Sequence, residues 1–381
     1  PLCDDLKTKA NTNKLYKLEV KFCKKCITAF QKYNVDKKKL FPKNYHYRSS
    51  NTKDVIDGMN DLVNQTNKKL RKVKNKKILD IGCNDGSLLD KFRESGYQTF
   101  GIEPTDAAKD ALKKNHKIYN LYLDKYISSR LIKEFEYFDV ITFTNVFAHI
   151  DDFKKLLESL NILIKPQTLL VIENHYFGDI LKKNQFDSFY HEHPRTYSLN
   201  SFFKISQLLR MQIEDFEFVK RYNGNIRVFL SQKKNFKIQK KLKKEFNKKK
   251  KLLTIINNFQ SKINNWKIKK RKKLIDLSKK HGPLPAKAFP ARASILINLL
   301  KIDNSVISEV FEKNSSLKVN KYVPGTNIKI LKKSLFIKKK LNKKILINLA
   351  WHISKEVRNY VVDRLKFKNK VIDIIENKDF R

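Results

Sequence analysis

Tyr190, His191, Glu192 and His193 occupy four consecutive positions inside the stretch FDSFYHEHPRTYS. An imidazole titrates near neutrality, a carboxylate can orient it and hold its tautomer, and a phenol can stabilise a developing oxyanion. The group therefore suits acid/base chemistry. Zinc is the competing reading, because His and Glu are among its ligands. In an extended segment, however, His191 and His193 point the same way while Tyr190 and Glu192 point to the other face, and this is not the helical H-E-x-x-H arrangement. Together with His149 and His175 they make half of the eight histidines, gathered within 45 residues. His149 lies four residues after Asn145 in FTNVFAHIDD, so on a helical turn the two share a face. Taken alone, that pair reads as a helix cap and a surface histidine.

A second constellation is ILDIGCNDGSLL, a strand ending in Asp80, a turn carrying Gly82, Asn84 and Gly86, and then a helix start. Glycines let the backbone turn sharply and admit a ligand, and the helix N-terminus offers free N–H groups. Glu103 follows Gly82 by 21 residues, at the tip of the next strand in GIEP. An acid there can accept hydrogen bonds from both hydroxyls of a ribose. The dinucleotide pattern G-x-G-x-x-G is absent. The D-x-G-x-N-x-G frame resembles motif I of the class I S-adenosylmethionine-dependent methyltransferases, with Asn84 where glycine is commoner.

Around these residues the chain reads as α/β. From Lys77, apolar strand-like runs (KKILDIG, QTFGIEP, FDVITFTN, QTLLVIEN) alternate with amphipathic helices, the pattern of a parallel sheet covered on both faces. Two more runs, Ile213 to Phe218 and Ile226 to Leu230, flank KRYNGN as an antiparallel closing pair would. A basic helical stretch over 236–281 leads to a second βα rhythm from LPAKAF to NKVIDIIE. The expected organisation is residues 1–55, 56–235, 236–281 and 282–381.

The 381 residues carry a formal charge of +45 at pH 7 with 41% hydrophobic residues, so the chain is a globular protein despite its charge. The lysines are spread along its length, which argues for solvated faces over a nucleic-acid surface. Apolar runs are too short for a membrane span. Four cysteines occur, and Cys23-x-x-Cys26 points to a metal or redox role in a reducing compartment, hence the cytoplasm, over a disulfide framework.

Five ordered stretches resemble the C-methyltransferases that act on nucleotide-linked 4-keto-6-deoxy sugars. NQFDSFYHEHPRTYSL is similar to their NQFDTIYHEHxxYFSL, and NVFAHIDD to NVxAHIPD. LFPKNYHYRSS resembles their tyrosine- and serine-rich entry segment, KYVPGTNIKI their PGTHIPI, and ILINLAWHISKEV their LLLAWNxxxEI. The resemblance implies a class I methyltransferase Rossmann-like domain between a small N-terminal zinc-binding region and a C-terminal Rossmann-like domain. It implies S-adenosylmethionine as cofactor, held by Asp80, Gly82, Asn84, Gly86 and Glu103. It makes His193 the base, with Glu192 and Tyr190 supporting it, and Asn145 and His149 the substrate or enolate contacts. Tyr47 is implied as a substrate contact, and Arg292, in FPARAS for the family's APAKGN, as a phosphate contact on a glycine-poor turn. The family's zinc is held by two C-x-x-C pairs; this chain carries Cys23 and Cys26, half of that site. The implied reaction methylates C3, beside the C4 ketone, through an enolate. Because a methyltransferase fold does not fix its acceptor, an O- or N-methyltransferase and a basic nucleic-acid-binding protein on a non-catalytic methyltransferase fold are the alternatives.

Overall fold

Strands buried on both faces need apolar residues at every position, and the apolar runs after Lys77 form such strands. Ile78, Val140, Val171 and Phe229 pack on one side with Val55, Met59, Leu62 and Leu89. Leu79, Ile141, Leu170 and Ile172 pack on the other with Leu156, Leu160, Phe202 and Ile205. Adjacent residues of one strand thus serve opposite helical layers.

The computed structural model describes residues 1–45, 47–51, 53–70, 75–221, 224–233, 235–339 and 341–380. His46 of the entry segment and Tyr222 and Asn223 of the KRYNGN turn lie outside the described residues. The chain forms two compact units, a larger one of residues 19–180 and 192–253 and a smaller one of residues 1–18, 181–191 and 254–381. No helix among the described residues is long and apolar enough to cross a membrane.

The larger unit begins with a hairpin of β1 (Val20–Cys23) and β2 (Thr28–Gln31). There follow β3 (Lys77–Ile81), β4 (Gln98–Ile102), β5 (Lys117–Tyr119), β6 (Val140–Thr144) and β7 (Leu169–His175). The two-residue β8 (Arg195–Thr196) precedes β9 (Gln212–Val219) and β10 (Asn225–Ser231). The main sheet has the order β5-β4-β3-β6-β7-β10-β9. β3 to β7 are parallel, and β10 runs antiparallel to β7 and β9. A separate three-stranded sheet, β1-β2-β8, ties the hairpin to the segment after His193.

The smaller unit carries a parallel sheet of order β13-β12-β11-β14-β15, built from β11 (Leu284–Lys287), β12 (Ile307–Glu312), β13 (Lys329–Lys332), β14 (Leu346–Asn348) and β15 (Val371–Asp373). The basic stretch is helical, as Ile238–Phe246 and the 33-residue Lys249–His281. Trp266, Lys270 and Leu274, four apart, form the buried stripe of the long helix. Lys270 is held by Asp379 at 2.8 Å and Glu376 at 3.1 Å, and Phe186 covers Trp266 at a ring distance of 4.8 Å. The first residues of the chain join the same unit: Asn13 Oδ1 accepts from the Gly325 N–H at 2.9 Å, and Lys7 bridges to Tyr322.

Candidate active site

The turn after β3 needs left-handed backbone at three positions, with φ of +75° at Gly82, +51° at Asn84 and +75° at Gly86. A Cβ on Gly82 would lie 2.5 Å from Val146 Cγ2, so that position has no room for a side chain. The Gly82 and Cys83 N–H groups both donate to Ile102 O, at 2.7 and 3.1 Å, and tie the turn to β4. Asparagine tolerates the left-handed region better than most side chains, and Asn84 uses its own as a clamp. Its Oδ1 accepts from the Ser49 N–H at 3.0 Å, its Nδ2 donates to Tyr47 O at 3.2 Å, and its N–H donates to Glu103 Oε2 at 2.9 Å.

Glu103 is buried, with Oε1 accepting from the Thr105 N–H at 2.9 Å and the Thr105 hydroxyl at 2.6 Å. Its carboxylate is fixed against the turn and retains further lone pairs for ribose hydroxyls. Asp80 lies deeper. Burial raises its carboxyl, the Thr142 hydroxyl at 2.6 Å draws it back, and the charge of Glu103 adds to the rise, leaving it at about 7. Asp85 holds the entry segment by accepting the Ser50 N–H at 2.9 Å. Burial pushes its carboxyl up, but hydrogen bonds from Ser87 and Ser50 outweigh that and bring it below its ordinary value. Tyr47, on the same segment, is exposed, and its carbonyl also accepts from Arg48 at 3.0 Å. Glycines at forced left-handed positions and an oriented acid fit an adenosyl nucleoside such as that of S-adenosylmethionine. Gly82→Ala forces an alanine into the left-handed region, at roughly 1–2 kcal/mol, and against Val146. S-adenosylmethionine affinity by calorimetry is expected to fall at least about tenfold.

The histidine stretch does not run extended as its spacing suggested. It turns at His191 and Glu192 and pairs only from Arg195. The division between units falls after His191, so Tyr190 and His191 belong to the smaller unit and Glu192 and His193 to the larger. His191 is buried, with its ring 6.0 Å from that of Tyr16, and burial lowers its pKa. The His193 ring centre lies 4.9 Å from that of His149 and 5.4 Å from that of His175. Gln31 holds the backbone of this segment, donating from Nε2 to His193 O at 2.8 Å and from its N–H to Pro194 O at 2.9 Å.

His149 Nδ1 lies 2.6 Å from Glu192 O. A carbonyl can only accept, so Nδ1 carries the proton, and Nε2 is the lone-pair nitrogen of the neutral ring. Burial keeps the ring neutral by lowering its pKa, partly offset by the carbonyls of Glu192 and Asn145. Asn145 follows β6 in the left-handed region, with φ +56°, which asparagine adopts more readily than most side chains. Its N–H donates to Glu173 O at 2.7 Å, and its Oδ1 accepts from Asn225 Nδ2 at 3.1 Å.

Cys23 and Cys26 close the β1–β2 hairpin, where Ile27 turns with φ +54°. Both thiols are half-buried, and the Cys26 N–H lowers the pKa of Cys23. Zinc wants four ligands. Among the described residues no three His, Cys, Asp or Glu side chains are grouped to hold a metal. Two cysteines do not make a complete zinc site. The hairpin has a structural role instead: Cys26 O accepts from Ser201 Oγ at 3.2 Å, at the helix Leu199–Leu208 that follows β8.

In the smaller unit, Arg292 precedes the helix Ala293–Leu300. Its Nε lies 3.3 Å from Asp187 Oδ2, and its Nη1 donates to Ser188 Oγ at 3.1 Å. Trp351 Nε1 donates to the same Asp187 oxygen at 2.9 Å. Arg292 is therefore engaged by a buried carboxylate from the stretch that carries the histidines, a pairing with no signal in the sequence. Ala288 takes φ +60° in the glycine-poor turn after β11. Thr105, Thr142, Glu173 and Asn225 carry no signal in the sequence, because single polar residues acquire their partners only through the fold.

Residues 50–211 match the family described as a methyltransferase domain, and residues 221–372 match the one described as a C-methyltransferase C-terminal domain. The chain is similar to the C-methyltransferase NovU of Streptomyces niveus, 24% identical over 216 residues that cover 56% of this chain and 51% of NovU. It is also similar to the ubiquinone biosynthesis O-methyltransferase of Actinobacillus pleuropneumoniae serotype 7 (strain AP76), 28% identical over 102 residues covering 25% of this chain and 44% of that protein. The chain spans about half the length of the curated relatives it matches. Among solved structures, the PH0226 protein from Pyrococcus horikoshii OT3 covers 52% of this chain and 99% of its own, at 14% identity and a TM-score of 0.37. The chain thus carries a methyltransferase domain followed by a C-methyltransferase C-terminal domain.

Proposed function

We propose that the protein methylates C3 of a nucleotide-linked 4-keto-6-deoxy sugar by way of a C3–C4 enolate. The observation that carries this reading is the grouping of His149, His175 and His193 with Asn145 in the unit whose β3 and β4 ends carry the cofactor turn and Glu103. Methylating an amine asks mainly for alignment of a lone pair already present, and methylating a hydroxyl asks also for a base that takes its proton, but neither needs an oxyanion donor at a second atom. Methylating a carbon first requires a proton to leave it, which calls for a base and an oxyanion donor.

His193 takes the C3 proton as the electrons of the C3–H bond move toward the C4 oxygen. The Asn145 carboxamide donates to that oxygen. His149, neutral and with its Nδ1 proton committed to Glu192 O, accepts a sugar hydroxyl at Nε2 and holds the His193 segment. S-adenosylmethionine supplies the electrophilic methyl group. C3 gains a carbon–carbon bond as the sulfonium–methyl bond breaks, leaving S-adenosylhomocysteine.

Incubation with methyl-labelled S-adenosylmethionine and a panel of thymidine- and guanosine-linked 4-keto-6-deoxy sugars tests the assignment. Carbon NMR of the product is expected to show a labelled methyl group bonded to carbon. A label found on oxygen or nitrogen, or turnover only with acceptors that lack a ketone, would overturn it.

A further inference from the structure

A chain of hydrogen bonds with a forced direction ends on Asn145. It starts at Glu173, fully buried in β7 between Arg221 and Arg227, with Arg227 Nε 2.8 Å from Glu173 Oε2. Burial alone would raise the Glu173 carboxyl, but the two guanidinium charges outweigh it and hold the group below its ordinary value. Glu173 is therefore an ionised, acceptor-only group. Asn225 Nδ2 lies 3.1 Å from Glu173 Oε1 and 3.1 Å from Asn145 Oδ1. A carboxylate cannot donate, so Asn225 must turn its NH2 group toward Glu173, and the same NH2 group then faces Asn145. Asn145 must answer with its oxygen. Its own NH2 group is left as the donor available to a ligand.

An asparagine carboxamide can flip, exchanging acceptor and donor with little change in shape. An enolate oxygen can use only one of the two orientations. We infer that Asn225 is a positioning residue that locks the Asn145 carboxamide with its nitrogen presented to the developing enolate, a role that rests on the function proposed above. Asn225 is fully buried, and its Oδ1 has no hydrogen-bond partner among the described residues, so its amide nitrogen carries the polar work. The left-handed turn at Asn145 and the bond from its N–H to Glu173 O set the backbone that the carboxamide hangs from. Arg227 also donates to Gly58 O at 3.3 Å, and Arg221 to Val55 O at 2.9 Å, so the charged end of the relay is anchored in the helix Lys53–Lys69.

Two measurements on the full-length chain separate this inference from the function beneath it. The first needs no turnover. With selectively 15N-labelled asparagine side chains, the hydrogen-bonded amide protons are expected on Asn225, while those of Asn145 exchange quickly with water. A protected Asn145 amide would overturn the inference whatever the activity. The second is C3 deuterium exchange in a keto-sugar at saturating substrate. Asn225→Ala is expected to lower it about 100-fold, as removal of one oxyanion donor does, with S-adenosylmethionine affinity unchanged and partial recovery in Asn225→Ser. The double variant Asn145→Ala/Asn225→Ala is expected to lose no more than Asn145→Ala alone. Additive losses, or wild-type exchange in a folded Asn225→Ala protein, would overturn the inference. Absence of exchange in the wild-type protein would count against the proposed function and leave the amide measurement to decide the orientation.

Discussion

His193→Ala is expected to slow C3 proton exchange by about 10² to 10⁴-fold, the contribution typical of a positioned base, while S-adenosylmethionine binding stays within about twofold. The two effects separate because the two sites are built from different contacts. The proposed cofactor turn is held by Ile102 O, Ser49, Tyr47 and Glu103. His193 is held by its rings of contact with His149 and His175 and by Gln31 at its carbonyl. His149→Ala removes the imidazole bonded to Glu192 O and is expected to slow exchange less than His193→Ala. Lost cofactor binding in His193→Ala, measured by calorimetry, would mean that this histidine serves the cofactor instead.

The second large effect concerns stability. Arg227 is fully buried and meets Glu173 and Asp61 at 2.8 Å and Glu217 at 2.9 Å. Breaking a buried pair from one side costs about 3–5 kcal/mol, because the remaining charge stays buried. Arg227→Met is expected to lower the melting temperature by roughly 10 °C, at about 2–4 °C per kcal/mol for a unit of this size. Arg227→Met/Arg221→Met/Glu173→Leu removes all three buried charges and is expected to recover part of the loss. Lys91→Ala, which breaks the exposed pair with Glu94, is expected to stay within about 0.5 kcal/mol. The pH dependence follows from Glu173, whose folded-state pKa lies below its ordinary 4.5. Its contribution is present in full above that ordinary value and is lost as pH falls through the lowered one. Acid titration of wild-type stability, compared with the triple variant, is the check.

Much of the larger unit was legible because its central strands are buried on both faces and therefore read as unbroken apolar runs. The turn from Gly82 to Gly86 was legible for a related reason: left-handed backbone demands glycine or asparagine there. The edge strands β5 and β13 were not, being three and four residues long with lysine among them. Nor was the joining of residues 1–18 and 181–191 to the C-terminal unit, which rests on bonds such as Asn13 to Gly325, 312 positions apart. The histidine stretch shows where local reasoning stops. Alternation within an extended strand put His191 and His193 on one side, but a turn at His191 and Glu192 intervenes, and the pairing with β2 starts only at Arg195. Asp187, five residues before Glu192, serves Arg292 and Trp351. Hydropathy and spacing carry no signal for such pairings between distant polar residues.

The most direct test of the proposed function is deuterium exchange by the wild-type protein in heavy water, with a nucleotide-linked 4-keto-6-deoxy sugar and no methyl donor. Proton abstraction by His193 toward an enolate held by Asn145 predicts that deuterium enters C3 and no other ring carbon, at a rate that falls when His193 is replaced. Methyl transfer to the same sugar with no C3 exchange, either without the donor or with S-adenosylhomocysteine bound, would contradict it.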